Sequence, residues 1–231
     1  MLTTTVSDVM TSDVVTVDST TPFKDIIDLM VREGISALPV VDRAGNLLGI
    51  VSEVDLLCKE QHADDEPDAG PPRFAGHQAR DQWRKAAALT AADVMTSPVL
   101  SVRSDTGLPE VARHLAATGV RRLCVVDEGK LVGIVARRDL LRPFLRADDE
   151  ILAQVDDEVL GRALHANPAM VRATVVSSVV MLTGRVEYQG DVSTAVRLVR
   201  AIPGVVAVKN RLDWQWNGPR PHIDEPAPTT A

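Results

Sequence analysis

A repeat constrains this chain more than any other feature. The pentapeptide Asp-Val-Met-Thr-Ser at residues 8–12 returns at residues 93–97, an offset of 85. Under that offset Val14 meets Val99, Val17 meets Val102, Gly34 meets Gly119, and Leu38-x-Val40-Val41-Asp42 meets Leu123-x-Val125-Val126-Asp127. One residue is then lost and the offset becomes 84: Gly49-Ile50-Val51 meets Gly133-Ile134-Val135, and Asp55-Leu56-Leu57 meets Asp139-Leu140-Leu141. The deletion falls at residues 43–45, between two apolar runs, where a turn can absorb it. One structural unit has been written twice.

Within the first copy, Val14, Val15, Thr16 and Val17 form a short β-branched run that predicts a strand. Thr21 is placed to N-cap a helix whose first position is Pro22. Phe23, Ile26, Ile27 and Met30 then make one apolar stripe, and Leu108, Val111, Ala112 and Leu115 repeat it. Gly34 and Gly119 stop the two helices. Residues 38–41 and 47–51 read as strands joined by a turn, and Ser52 stands where the next helix begins. The order is β-α-β-β-α, twice. Each unit leaves a small sheet with an uncovered apolar face, and two such units cover each other about a pseudo-two-fold axis.

Composition narrows the function classes. Hydrophobic residues are 45% and aromatics only 3%, so the cores are aliphatic. The formal net charge of −7 gives no basic footprint for nucleic acid, and no nucleic-acid partner is expected. Cys58 and Cys124 stand apart with no metal or disulfide spacing, which suits a reducing compartment. No apolar run approaches membrane-spanning length and the N-terminus has no signal-peptide pattern, so a cytoplasmic location is expected. The histidines are scattered, and no GxSxG, P-loop or HExxH motif is present. Neither an enzyme nor a metal site is expected.

Both repeats resemble cystathionine-β-synthase (CBS) domains, residues 5–57 and 89–142 looking like one CBS pair. The resemblance rests on Asp-Val-Met-Thr, on the strand–helix–Gly unit, on Ser-Ala-Leu-Pro-Val-Val-Asp at 36–42 and on Gly-Ile-Val-Ser-Glu-Val-Asp-Leu-Leu at 49–57, in one order given twice. It implies clefts between the repeats for adenosyl compounds such as AMP, ADP, ATP or S-adenosylmethionine, with no cofactor required. The family's ribose motif, Gly-h-h-Ser/Thr-x-x-Asp, is complete at Gly49, Ser52 and Asp55; the second copy keeps Gly133 and Asp139 but has Ala136 in place of the hydroxyl. A carboxylate can accept from both ribose hydroxyls. By the same resemblance, adenine-side positions from one repeat face the aspartate of the other. The main cleft is therefore expected to combine Ser52 and Asp55 with Val120, Arg121 and Arg122, the arginines facing phosphate. A weaker cleft combines Ile35, Ser36 and Ala37 with Asp139 and its neighbours Arg137 and Arg138.

Residues 58–89 read as a linker: residues 64–72 are acidic and Pro/Gly-rich, and residues 77–88 are helical in composition, with Trp83 as an anchor. After Arg146 the pattern becomes α-β-β-α-β, and about residues 148–216 resemble a BON domain. The marks are Val-x-Leu-x-Gly at 180–184 and Ile-Pro-Gly-Val at 202–205, with Ser178 near a turn where that family usually has glycine. That resemblance implies an interaction module or a binder of phospholipid or membrane surfaces. Residues 217–231 read as a tail.

The expected fold is thus α/β and α+β: CBS units at 1–57 and 90–147 packed as a pseudo-two-fold pair, then a small αββαβ BON unit at 148–216. The expected function is that of a non-catalytic sensor, homodimeric through the CBS pair, regulating a protein partner in trans. The rival expectation is a ligand-free structural or stress-associated protein whose binding resides in the BON unit.

Overall fold

The computed structural model describes residues 4–61 and 76–218, with side chains throughout except at 77–79. The acidic stretch at 64–72 and residues 219–231 of the expected tail lie outside them. The chain forms two compact units, Thr5–Leu140 and the described residues from Leu141 onward.

In the first unit, α1 (Phe23–Glu33) buries Ile26 and Met30 and ends at Gly34. β1 (Ala37–Val41) and β2 (Leu47–Ser52) pair antiparallel, with Leu38 opposite Val51 and Ala37 opposite Ser52. Asp42 closes their turn by accepting from the N–H groups of Ala44 and Asn46. α2 (Glu53–Gln61), α3 (His77–Ala86) and the short α4 (Ala91–Val94) follow. The second copy supplies β3 (Ser101–Val102), α5 (Leu108–Thr118), β4 (Arg122–Asp127) and β5 (Lys130–Ala136).

Three sequence expectations are corrected. The strand expected at residues 14–17 is a single parallel bridge, Val17 to Val40. Val17 donates to Pro39 O and accepts from Val41 N, but the bond that would extend this ladder needs an N–H on residue 39. Proline has none. Its counterpart Cys124 does, and there Ser101 and Val102 pair with β4 as a strand. The α1 N-cap is Pro22 rather than Thr21, whose carbonyl accepts from Ala91 N instead. The helix expected at Asp139 is a 3-10 turn, Asp139–Leu145. Pro143 lacks the N–H that an α-helix would return to the Asp139 carbonyl.

The doubled pentapeptide finds its meaning in the packing. Val6, just ahead of the first pentapeptide, and Val9 within it sit in the core of the second repeat with Val111, Leu115, Leu123, Val125 and Val135. Ala88 and Ala91, just ahead of the second pentapeptide, and Val94 within it sit in the core of the first repeat with Ile26, Leu38 and Val51. Each repeat lends its leading segment to the other. Fully burying such a valine contributes about 1.5–3 kcal/mol, so each half is completed by its partner. Asp8 and Asp93 close capping boxes with Thr5 and Thr90. The methionines then lie flat on facing glycines: a Cβ at Gly49 would run into Met95 Sδ, and one at Gly133 into Met10 Sδ. Close approach, not unusual backbone geometry, requires glycine at these two positions.

The second unit opens with α6 (Asp148–Gln154), whose helix continues to Ala163 with a wider, π-type turn. β6 (Val171–Val176), β7 (Val179–Tyr188) and β8 (Ala207–Trp216) form one sheet with β7 central, β6 antiparallel and β8 parallel to it. The parallel crossover is α7 (Gln189–Arg200). Ile151, Val155, Val180, Leu182, Ala195 and Val199 make the core. The β6–β7 turn places both Ser177 and Ser178 at positive φ, 50° and 60°. Their N–H groups both donate to the Asp148 carboxylate, at 2.7 and 2.8 Å, which holds a turn that glycine would adopt more readily. Gly184, the last residue of Val-x-Leu-x-Gly, has φ +112°, and a Cβ there would strike Met170 O.

Candidate functional site

The strand ends carry the chemistry. Ala37 lies opposite Ser52 and Arg122 opposite Ala136, so each strand pair brings the start of one strand beside the end of the next. The two pairs meet where Arg122 Nη2 donates to Ser36 Oγ at 2.5 Å. On one side of this meeting point opens a cleft of about 510 Å³. That volume lies within the range that holds a nucleotide-sized ligand.

The cleft has an apolar wall, an acidic end and a basic rim. Val14, Val15, Ile35, Ala37 and Ile134 form the wall. Asp139 stands at one end, 4% exposed, its Oδ2 accepting from Ala136 N at 2.8 Å. Arg121, Arg122, Arg137 and Arg138 all border it. They differ in freedom. Arg137 donates to the carbonyls of Leu115, Gly119 and Val120, and so closes the C-terminal end of α5. Arg122 is half-buried. Burial pulls its guanidinium below the ordinary arginine value; Glu53 opposes this, while the charges of Arg138 and Arg121 add to it. Arg121 is exposed, and Arg138 is 90% exposed with Nε 4.0 Å from Asp139 Oδ1. An incoming anion would relieve the mutual repulsion of these guanidiniums.

In the other half of the pair, both carboxylate oxygens of Asp55 are engaged. Asp55 Oδ2 accepts from Ser52 N at 2.8 Å and Ser52 Oγ at 2.6 Å. Asp55 Oδ1 accepts from Thr96 Oγ1 at 3.0 Å and from Lys85 Nζ at 2.5 Å. Lys85 also donates to Thr96 Oγ1 at 2.8 Å. Lys85 is 6% and Asp55 8% exposed. Burial pushes the Asp55 carboxyl up, but the hydrogen bond from Lys85, then those from Ser52, outweigh it and hold the carboxyl below the ordinary aspartate range.

The grouping expected from sequence is therefore redrawn. Ile35, Ser36, Ala37, Arg138 and Asp139 come together as expected, in the cleft that was expected to be the weaker. Arg121 and Arg122 join them there, whereas they were expected beside Asp55. Both arginines border the meeting point of the repeats, and the cation that pairs with Asp55 is Lys85. Val120 does not line the cleft; it packs on the second-repeat core, its carbonyl accepting from Arg137 Nε. Ser52 is bound to Asp55. Thr11 and Asp13 also line the cleft and were missed. Thr11 matches Thr96 in the repeat, but only the structure shows Thr96 touching the aspartate Asp55, and Asp13 matches Pro98 and carried no signal. Among the described residues no cluster of metal-ligating side chains is found.

A family model for the CBS domain matches residues 6–60 and 91–146, and one for the BON domain matches residues 147–215. The chain is a CBS-pair protein with a BON domain. It is 33% identical over 156 residues to the chloroplastic CBS domain-containing protein CBSX2 of Arabidopsis thaliana, a match covering 63% of this chain and 66%, just under two thirds, of that protein. A crystal structure of CBSX2 in complex with AMP aligns with a TM-score of 0.52, covering 60% of this chain and 94% of that one. Inosine-5'-monophosphate dehydrogenase of Methanocaldococcus jannaschii is 30% identical over 136 residues, 58% of this chain but only 22% of that enzyme. No helix among the described residues is long and apolar enough to cross a membrane.

Proposed function

We propose that this protein is a non-catalytic sensor that binds an adenine nucleotide in the Asp139 cleft and passes the occupancy of that cleft to a partner. The observation that carries the reading is the layout of the cleft: an apolar wall for a base, a buried carboxylate for ribose hydroxyls, and exposed arginines for phosphate. In this reading Val15, Ile35 and Ile134 flank the adenine, Asp139 accepts from the ribose, and Arg121 and Arg138 reach the phosphate. Support comes from CBSX2, whose structure holds AMP and which shares 33% of its residues with the matched region. Ala136 keeps the backbone bond of the motif: its N–H donates to Asp139 as that of Ser52 does to Asp55.

The BON domain serves as the interaction module. Between α7 and β8 it offers a groove lined by Val192, Val196 and Trp214, with Arg197 and Arg200 at its edge. That combination suits a protein segment or an anionic lipid surface. The CBS pair forms a homodimer: Ile27 and Val31 on α1 and Val54 and Leu57 on α2 are exposed apolar residues at helical spacing. Calorimetry against AMP, ADP, ATP and S-adenosylmethionine tests the central claim. Binding that is lost in Asp139→Ala supports it. No heat with any of the four at millimolar concentration refutes it.

A further inference from the structure

The two aspartates of the repeat have matching local geometry and different surroundings. Asp55 Oδ2 accepts from Ser52 N, and Asp139 Oδ2 from Ala136 N, both at 2.8 Å. Thr96 and Thr11 occupy equivalent positions, bridged to Ile50 and Ile134 of the opposite repeats. Beside Asp139 this framework bounds an open cleft, and no lysine lines it. Beside Asp55 the same framework holds Lys85.

Lys85 comes from neither repeat motif. It sits on the last turn of α3, the helix between the copies. Its ammonium and Thr96 form a closed triangle with Asp55 Oδ1. A second lysine fixes the end of that helix: Lys59 of α2 donates to the carbonyls of Ala86 and Ala88 at 3.1 and 3.0 Å and lies over the Phe23 ring. A nucleotide at this half would need its ribose hydroxyls on the carboxylate oxygen that Lys85 occupies. An ammonium is the stronger donor there, since its bond to a carboxylate is charge-assisted and that of a ribose hydroxyl only half so.

We propose that Lys85 is a tethered internal occupant of the second nucleotide site. The linker helix closes the Asp55 half, so the chain takes one adenosyl ligand, and release of α3 exposes a second site of the same chemical class. This rests on the reading of the Asp139 cleft given above, and the experiment separates the two. Full-length protein is titrated calorimetrically with AMP and with ATP. Wild type is expected to bind about one ligand per chain, Asp139→Ala none, Lys85→Glu about two, and Lys85→Glu/Asp139→Ala about one. Lys85→Glu sets two carboxylates against each other and drives α3 off its seat. Two ligands on wild type, one ligand retained by Asp139→Ala, or a folded Lys85→Glu still binding one, each overturns the proposal. If Lys85→Glu fails to fold by circular dichroism, Asp139→Ala decides alone: complete loss supports a closed Asp55 half and retained binding overturns it. No binding by wild type with one ligand on Lys85→Glu upholds the internal occupant and refutes the Asp139 reading. No binding by either refutes both.

Discussion

Lys85→Met removes the ammonium from the buried pair while keeping most of the stem. Lys85 and Asp55 side chains are 7% and 11% exposed, so the pair is shielded from solvent. Removing one partner of such a pair costs about 3–5 kcal/mol, because the remaining charge stays buried. Asp55 keeps three donors, from Ser52 N, Ser52 Oγ and Thr96 Oγ1, which places the cost near the lower end, about 3 kcal/mol. For a unit of the size of Thr5–Leu140, each kcal/mol moves Tm by about 4 °C, giving a fall of about 12 °C at pH 7. Lys85→Met/Asp55→Leu removes both charges and is expected to recover more than half of that loss, since a buried pair replaced by apolar residues is often neutral.

Acid supplies an independent check on the same pair. In wild type the Asp55 carboxyl is held low, against burial, by Lys85 and then Ser52. A depressed carboxyl stabilises the fold above its unfolded value, about 3.9, and loses that contribution as pH falls through its native value. Without Lys85 the burial effect gains, the carboxyl moves upward, and protonation relieves the mutant before it affects wild type. The Tm gap, read by differential scanning calorimetry on ligand-free protein, is therefore expected to narrow from pH 7 toward pH 4. A gap under about 3 °C at pH 7, or one that does not change on acidification, would refute the argument.

Asp139→Ala is expected to remove adenine-nucleotide binding at concentrations that saturate wild type, a loss of about 3 kcal/mol of charged hydrogen bonding or more than about a hundredfold in affinity, while Asp55→Ala leaves the wild-type affinity unchanged; titration calorimetry reads both. Gly49→Ala is expected to cost about 1–3 kcal/mol by overpacking against Met95, with partial recovery when Met95→Ala is added; thermal melting of the single and double variants checks it. Gly184→Ala meets a backbone oxygen at a φ of +112° and is expected to lower the melting transition of the BON domain while the CBS transition stays in place. Sedimentation at micromolar concentration is expected to show a dimer, and Val31→Asp to shift it toward the 24.9 kDa monomer; a wild-type monomer alone would sink the homodimer reading.

Much of the fold was legible because it was written twice. Two copies of one apolar pattern, with a deletion confined to the turn at residues 43–45, predicted the strand pairs and the helix stripes. Where the copies differ in a single backbone group, pattern alone misled. Pro39 and Cys124 are equivalent apolar positions by period, yet one lacks an N–H and its neighbouring strand shrinks to a bridge. The exchange of leading segments left a quieter trace. That Met10 and Met95 lie on glycines of the opposite copy is a long-range fact that the pentapeptide does not carry by itself.

The candidate site shows the same limit from the side of chemistry. The ribose motif named both aspartates, and both occupy comparable frames. What separates them is a residue outside either motif, in a segment whose composition reads only as helical. Lys85 has Asp81 at i−4 and Arg84 beside it, and by sequence it is one more charge on a solvated face. Its burial follows from where α3 lands, and that is decided by Lys59, by α2 and by the chain passing into α4. Ranking the two clefts by motif completeness favoured the half that carries Ser52. Yet the hydroxyl there donates inward to Asp55, and helps position the carboxylate for Lys85. A complete motif in this half thus holds an internal ion pair, and the half with Ala136 borders the described cleft. Motif identity reports which frame the backbone makes; what fills the frame depends on the segment that crosses it.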